Sequence, residues 1–172
     1  MNVLANILIV IVTVTAMELV ARYGHEYIMH RWGWGWHEAH HVAGAHTFER
    51  NDLYAVVFAV PSILLIYFGV KFEHWILWVG AGMTLYGFLY FFVHDGLVHN
   101  RWPFRLVPRG RYLKRLVQAH RMHHAVYART GCVSFGFLYA PPVRRLKDEL
   151  KAIHGGALDA AAAAVSEDTP RM

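Results

Sequence analysis

Two stretches of this chain, Leu53 to Val70 and Trp75 to Val93, contain no charged residue. A third, Val3 to Val20, is almost wholly apolar, broken only by Asn6, Thr13, Thr15 and Glu18. Runs of eighteen or nineteen helical residues rise about 27–29 Å, close to the roughly 30 Å hydrocarbon core of a bilayer. They are long for the core helices of a soluble protein, so three transmembrane helices are expected. Only Lys71-Phe72-Glu73-His74 separates the second run from the third, which predicts a tight antiparallel hairpin. Pro61 predicts a kink in the second helix, tolerable where neighbours satisfy the freed carbonyl. The first run has no basic segment before it and no small-x-small cleavage pattern after it, and it reads as a retained helix.

Composition agrees with a membrane protein. Of 172 residues, 56% are apolar and 17% charged, against about 45–50% and about 25% in soluble domains. The lone cysteine, Cys132, excludes an internal disulfide and a cysteine-based zinc cluster. The expected fold is all-α: an integral membrane helical bundle with three clear spans. Gly131 to Val143 is a shorter apolar stretch, expected as a short fourth span or a re-entrant segment. Residues 1–154 are expected to form the membrane domain, and the alanine-rich 155–172 a low-complexity, disordered tail.

Charge predicts the orientation. Twelve Lys and Arg residues lie between His94 and Lys151, but the loop after the second run holds only Lys71. The positive-inside rule puts the later region in the cytoplasm. The Arg22–Asp52 loop is then cytoplasmic too, and the N-terminus outside. The net charge of +5 is accounted for by topology and anionic lipid, so nucleic acid is not an expected partner.

Ten of the thirteen histidines fall into an ordered pattern. His25 and His30 form H-x4-H after the first run. His37, His40 and His41 form H-x2-H-H. The same pair of motifs returns as His94/His99 after the third run and His120/His123/His124. Topology, read from lysine and arginine alone, sends all four groups to one membrane face. Positions i, i+3 and i+4 share a helix face, so each H-x2-H-H presents three imidazoles together. The i, i+5 pairs lie about 140° apart on an ideal helix. Without a bulge or helix end between them, they are expected to flank a site, each ring reaching a different metal. Ten imidazoles divide naturally as about five around each of two metals, and imidazole suits Fe, Zn, Cu and Ni. Asp95, beside His94, and then Glu38 are the candidates to orient a ligating ring, since such rings donate their other N–H to a carboxylate or carbonyl. Glu18 and Asn6, inside the first span, are expected to make helix–helix hydrogen bonds. His46, His74 and His154 lie outside the pattern.

Two other readings compete. His37-Glu38-x-x-His41 matches the helix motif of zinc metalloproteases, with Glu38 as base and Asp95 as a possible third ligand. The partner group H-R-M-H-H has no glutamate, and most other histidines would be idle. A haem or other metal-binding membrane protein without catalysis would need only two or four histidines.

Three stretches carry a more specific signal: F-V-H-D-G-L-V-H-N-R-W-P-F (Phe92 to Phe104), H-R-M-H-H-A-V (His120 to Val126) and G-C-V-S-F-G-F-L-Y-A-P-P (Gly131 to Pro142). With H-E-Y-I-M-H-R-W-G-W-G-W-H and N-D-L-Y-A-V-V-F-A, they closely resemble the bacterial β-carotene 3-hydroxylases, within the fatty acid hydroxylase group of membrane non-haem di-iron enzymes. The resemblance covers roughly residues 17 to 145. It implies O2-dependent hydroxylation at carbon 3 of a β-ionone ring, from β-carotene through β-cryptoxanthin to zeaxanthin, with ketocarotenoids as further substrates. It also implies two Fe ions, replaceable by zinc in purified material, O2 as co-substrate, a ferredoxin-type electron donor with its reductase, and a bacterial inner-membrane location. The sequence is compatible: it has no Gly-rich dinucleotide fingerprint and no iron–sulfur cysteine set, so electrons must come from a partner. A basic cytoplasmic surface suits an acidic donor. Trp75, Trp78, Tyr86, Phe88, Tyr90, Phe91 and Phe92 are candidates to line a substrate path from the bilayer.

Overall fold

The computed structural model describes residues 2–42 and 48–167, with side chains described as far as 155. Among the described residues every regular element is helical. Six α-helices form: α1 (Val3–Gly24), α2 (Trp34–His41), α3 (Leu53–Lys71), α4 (Ile76–Tyr90), α5 (Gly110–His124) and α6 (Val143–Glu167). Three helical segments are long and apolar enough to cross a membrane: Val3–Met29, Arg50–Lys71 and Ile76–Val98. The first and third extend past their apolar runs at the histidine-bearing end.

The membrane helices pack through small and hydroxylated residues. Gly80 of α4 faces the Ser62 carbonyl and Ile66 of α3, and Gly82 faces Thr13 and Val10 of α1. In hydrocarbon there is little solvent-driven gain in bringing helices together, so such close backbone contact carries the association. Ser62 Oγ donates to Gly80 O at 2.9 Å and lies 2.8 Å from Thr84 Oγ1. α3 remains one helix through Pro61 and is joined to α4 by the short 72–75 turn, the hairpin expected from the sequence. Most large side chains of α1 and α3 are exposed, as lipid-facing groups are in the absence of a bilayer.

At one end of the three spans, α2 and α5 lie beside the emerging ends of α1 and α4. A core of Val93, Leu97, Val98, Leu116, Val117, Ala119, Val133, Ala140 and Leu146 joins α5 and α6 to this end. α5 is amphipathic, with Arg111, Lys114 and Arg121 exposed and Leu116, Val117, Ala119, His120 and His123 buried.

Of the two alternatives for Gly131 to Val143, the short helical span is not formed: residues 125–142 are an irregular segment, with Cys132, Val133, Phe137 and Ala140 buried. The carbonyls of Val126, Arg129, Val133 and Phe135 in this segment accept hydrogen bonds from imidazoles. α6 continues past His154 through the alanine-rich stretch as far as Glu167.

Candidate metal centre

All ten patterned histidines meet at one end of the bundle, in two adjacent groups. His25, His30, His37, His41 and His123 bring ring nitrogens within 4.8 Å of one another, all five residues buried. His40, His94, His99 and His120 form the second group on the same criterion. His124 joins it, with Nε2 2.9 Å from His120 Nε2 and ring centroids 4.7–4.8 Å from His40 and His99. Each repeat of the motif pair therefore supplies four rings to one group and one to the other. His37 and His41 converge while His40 crosses over; His120 and His124 converge while His123 crosses over. The H-x2-H-H faces are thus shared between two sites. Positions i and i+4 are only about 40° apart around a helix, whereas i+3 and i+4 differ by about 100°.

The H-x4-H pairs behave differently from expectation. His25 and His30 belong to the same group, as do His94 and His99. The cause is a π-helical turn at each: His25–Met29, closed by His30 N→His25 O at 3.0 Å, and Phe91–Val98, with His99 N→His94 O at 3.0 Å. The wider i→i+5 turn brings i and i+5 onto one side, and such bulges recur at functional sites.

Hydrogen bonds fix the tautomers. In the first group His25 Nδ1 donates to Phe135 O (3.0 Å), His30 Nδ1 to Arg129 O (2.9 Å), His41 Nδ1 to Val126 O (3.0 Å) and His123 Nδ1 to Val133 O (3.0 Å). His37 Nδ1 donates to Asn51 Oδ1 (2.7 Å). Four of these five acceptors are carbonyls of the irregular 126–135 segment. The second group is held differently. His40 Nδ1 faces Glu49 Oε2 at 2.8 Å, and His94 Nδ1 faces Asp95 Oδ1 at 2.9 Å. Arg101 bridges Asp95 (3.3 Å) to Asp52 (2.6 and 2.8 Å), and Asp52 accepts the Glu49 N–H. One group is backed by neutral acceptors, the other by two carboxylates.

These donors test whether metals fit. A carbonyl only accepts, so a proton must sit on Nδ1 and the Nε2 atoms carry bare lone pairs. Yet Nε2 atoms approach at 2.9 Å (His25–His37), 3.1 Å (His30–His123), 3.2 Å (His37–His41) and 2.8 Å (His40–His94). Facing lone pairs repel at that separation. A cation bound at about 2.0–2.1 Å by nitrogens at right angles sets them about 2.9 Å apart. The donor set fits two metal ions. Burial, and then the neighbouring imidazoles, keep the rings neutral and ready to ligate: His37 is pushed down to about 2, His41 to about 4 and His99 to about 3.

The remaining candidates separate clearly. Asp95 meets His94 as expected. Glu38 is exposed on α2, and its side chain has no hydrogen bond to a histidine ring among the described residues. The carboxylate at this edge is Glu49, and the sequence reading missed it together with Asn51. The signal was there: Glu49-x-x-Asp52 is a reciprocal capping pair at the start of α3. His74 is exposed in the α3–α4 turn, His154 bonds Gly131 O at 3.0 Å, and His46 lies outside the described residues. Glu18 reaches Tyr86 of α4 at 2.9 Å, an interhelical bond as expected, but also binds the irregular segment. Tyr90 stacks on His94 at 4.6 Å, whereas Phe88 and Trp75 are exposed at the helix surface.

The chain is a membrane helical bundle with ten histidines gathered at one end, and the fatty acid hydroxylase family matches residues 10–141. The chain belongs to that family. Within it, the chain is 61% identical over 166 residues to a β-carotene hydroxylase of Pantoea ananas, covering 96% of this chain and 95% of that one. It is 57% identical to the β-carotene hydroxylase of Pseudescherichia vulneris (88% and 86% covered) and 54% identical to that of Paracoccus sp. strain PC1 (86% and 92% covered). No solved structure matches. The protein is a hydroxylating oxidoreductase of the membrane.

Proposed function

We propose that this protein hydroxylates carbon 3 of the β-ionone rings of β-carotene, giving β-cryptoxanthin and then zeaxanthin, and that it accepts ketocarotenoid rings as well. The observation that carries the reading is the division of ten histidines into two adjacent sets with inward lone pairs, in a chain 54–61% identical to bacterial β-carotene hydroxylases. His25, His30, His37, His41 and His123 hold one iron, and His40, His94, His99, His120 and His124 the other. When bound, the two irons supply O2 activation and the two-electron chemistry needed to oxidise an unactivated C–H bond. Each turnover converts C–H and O2, with two electrons and two protons, to C–OH and one water.

The chain's own groups do the rest. The carbonyls of 126–135, Asn51, Glu49 and Asp95 keep Nδ1 protonated and aim Nε2 inward, where it is free to ligate. The apolar spans keep the substrate in lipid and bring its ring to the membrane side of the histidines, and burial of the site excludes water. Zinc fits the same nitrogen donors and can replace iron in purified material. The site faces the cytoplasm of a bacterial inner membrane with the N-terminus outside, because the Lys- and Arg-rich segments flank it. A ferredoxin-type donor with its reductase docks on that basic face; turnover then falls as ionic strength rises, and a flat response contradicts the steering. Expression in a β-carotene-accumulating bacterial host, followed by pigment chromatography, tests the function. Zeaxanthin is expected, and unaltered β-carotene despite good expression overturns the assignment.

A further inference from the structure

Glu18 is a carboxylate inside the apolar run of α1, and the ten-histidine site makes no direct use of it. Its Oε1 accepts the backbone N–H groups of Phe137 (3.0 Å), Leu138 (3.0 Å) and Tyr139 (2.9 Å); Oε2 accepts Leu138 N–H (3.0 Å) and the Tyr86 hydroxyl (2.9 Å). Three successive N–H groups around one carboxylate form an anion nest, here inside a membrane protein where an unpaired carboxylate is costly. The turn is shaped to the carboxylate: a Cβ on Gly136 would fall 2.8 Å from Glu18 Oε1 and 2.7 Å from Tyr139 O. From the other side, the Tyr112 hydroxyl of α5 donates to Leu138 O.

The residue this clamp places is Phe137. Its ring stacks on His25 (5.2 Å) and lies 5.5 Å from His94 and 5.8 Å from His120, so it meets rings of both histidine groups. It also meets Tyr90 at 4.7 Å and packs with Met17, Ala21 and Tyr86 of the spans. Phe135, its neighbour, contacts first-group rings instead: His25, His30 and His123. Phe137 thus lies between residues of the membrane helices and rings of both histidine groups.

We propose that Glu18 is a positioning residue for the reaction: its carboxylate, tied to Tyr86, fixes the 137–139 turn so that Phe137 forms the surface on which the substrate's apolar ring seats beneath both histidine groups. This rests on the carotenoid reading above. A ring carbon displaced by about 1 Å from its productive position can cost about a hundredfold in rate. The clamp therefore governs kcat and which carbon is hydroxylated, while metal binding is left to the histidines.

The test compares the wild type, Glu18→Ala and Glu18→Gln in detergent with β-carotene and a reduced ferredoxin, scoring metal per chain, kcat, KM and product regiochemistry. Glu18→Ala is expected to keep its metal, lose at least tenfold in kcat and yield alcohols at ring carbons other than carbon 3. Glu18→Gln keeps an oxygen that accepts the N–H groups and an amide that can donate to Tyr86; it is expected to recover most of the rate and the selectivity. Loss of metal in step with activity, or wild-type rate and selectivity in Glu18→Ala, overturns the proposal. If Glu18→Ala fails to accumulate, Phe137→Leu decides, because it leaves the clamp intact: mixed regiochemistry supports the proposal and unchanged products overturn it. A wild type that leaves β-carotene untouched refutes the substrate assignment instead.

Discussion

Replacing Asp95 by Asn should weaken one of the two metal positions and leave the other nearly intact. Asp95 Oδ1 lies 2.9 Å from His94 Nδ1 and 3.3 Å from the Arg101 guanidinium, with the residue only 9% exposed. Asparagine is isosteric, and its oxygen can still accept the His94 N–H, so the ring keeps its orientation. What disappears is the charge. A hydrogen bond to an ionised acceptor contributes about 1.5–3 kcal/mol, against about 1 kcal/mol between neutral partners. Loss of such supporting groups typically lowers metal affinity about 10–100-fold, or about 1.4–2.7 kcal/mol. Arg101 is not orphaned, because Asp52 holds it at 2.6 and 2.8 Å. The first group has no carboxylate behind its rings and should not respond. The assay is a chelator titration of the iron-loaded protein, with metal counted per chain at each step. Asp95→Asn should release one metal at roughly tenfold to a hundredfold lower chelator concentration, with the second following the wild-type curve. A curve that matches wild type throughout, or release of both metals together, would refute the reasoning.

Three further outcomes follow from the same geometry. Glu38→Gln should retain turnover within about twofold in a pigment assay, because Glu38 is exposed and its side chain has no hydrogen bond to a histidine ring among the described residues; abolished turnover would contradict this. His123→Ala removes a fully buried ring that crosses from α5 into the first group, and both metal content and product should collapse. Unchanged hydroxylation would remove His123 from the ligand set. Acid should destabilise the metal-free protein. His37, His99 and His41 are held at about 2, 3 and 4 in the folded chain, below the ordinary value of 6.5. The unfolded chain then binds more protons below pH 6.5, so stability is present above that pH and declines from about 6.5 towards 4 and below. Thermal unfolding of the metal-free protein against pH reads this directly; a midpoint that rises on acidification would contradict it.

Much of the architecture was legible because it follows from periodicity and charge. The apolar runs gave three spans, and the Lys/Arg asymmetry and the histidine motifs independently pointed to one end. Which histidine joins which group was not legible. A π turn differs from an α turn by one residue in the hydrogen-bond ladder and leaves no compositional mark, so His25/His30 and His94/His99 read as diverging pairs. The 131–143 stretch is apolar enough for a short span, yet the carbonyls of Val126, Arg129, Val133 and Phe135 serve as acceptors for imidazoles. Backbone acceptors have no side-chain signature. Glu49 and Asn51 were hidden differently, since they approach His40 and His37 from the start of another helix, and only the Glu49–Asp52 capping pair marks the place. Glu18 was visible as an intramembrane carboxylate, but its partners 119–121 positions away were not.

X-ray absorption at the iron edge, combined with metal counting on the purified wild-type protein, tests the central claim most directly. Two irons per chain, each with a shell of about five nitrogens showing imidazole backscattering, is the predicted result. One metal per chain, or a first shell dominated by carboxylate oxygen, would contradict it.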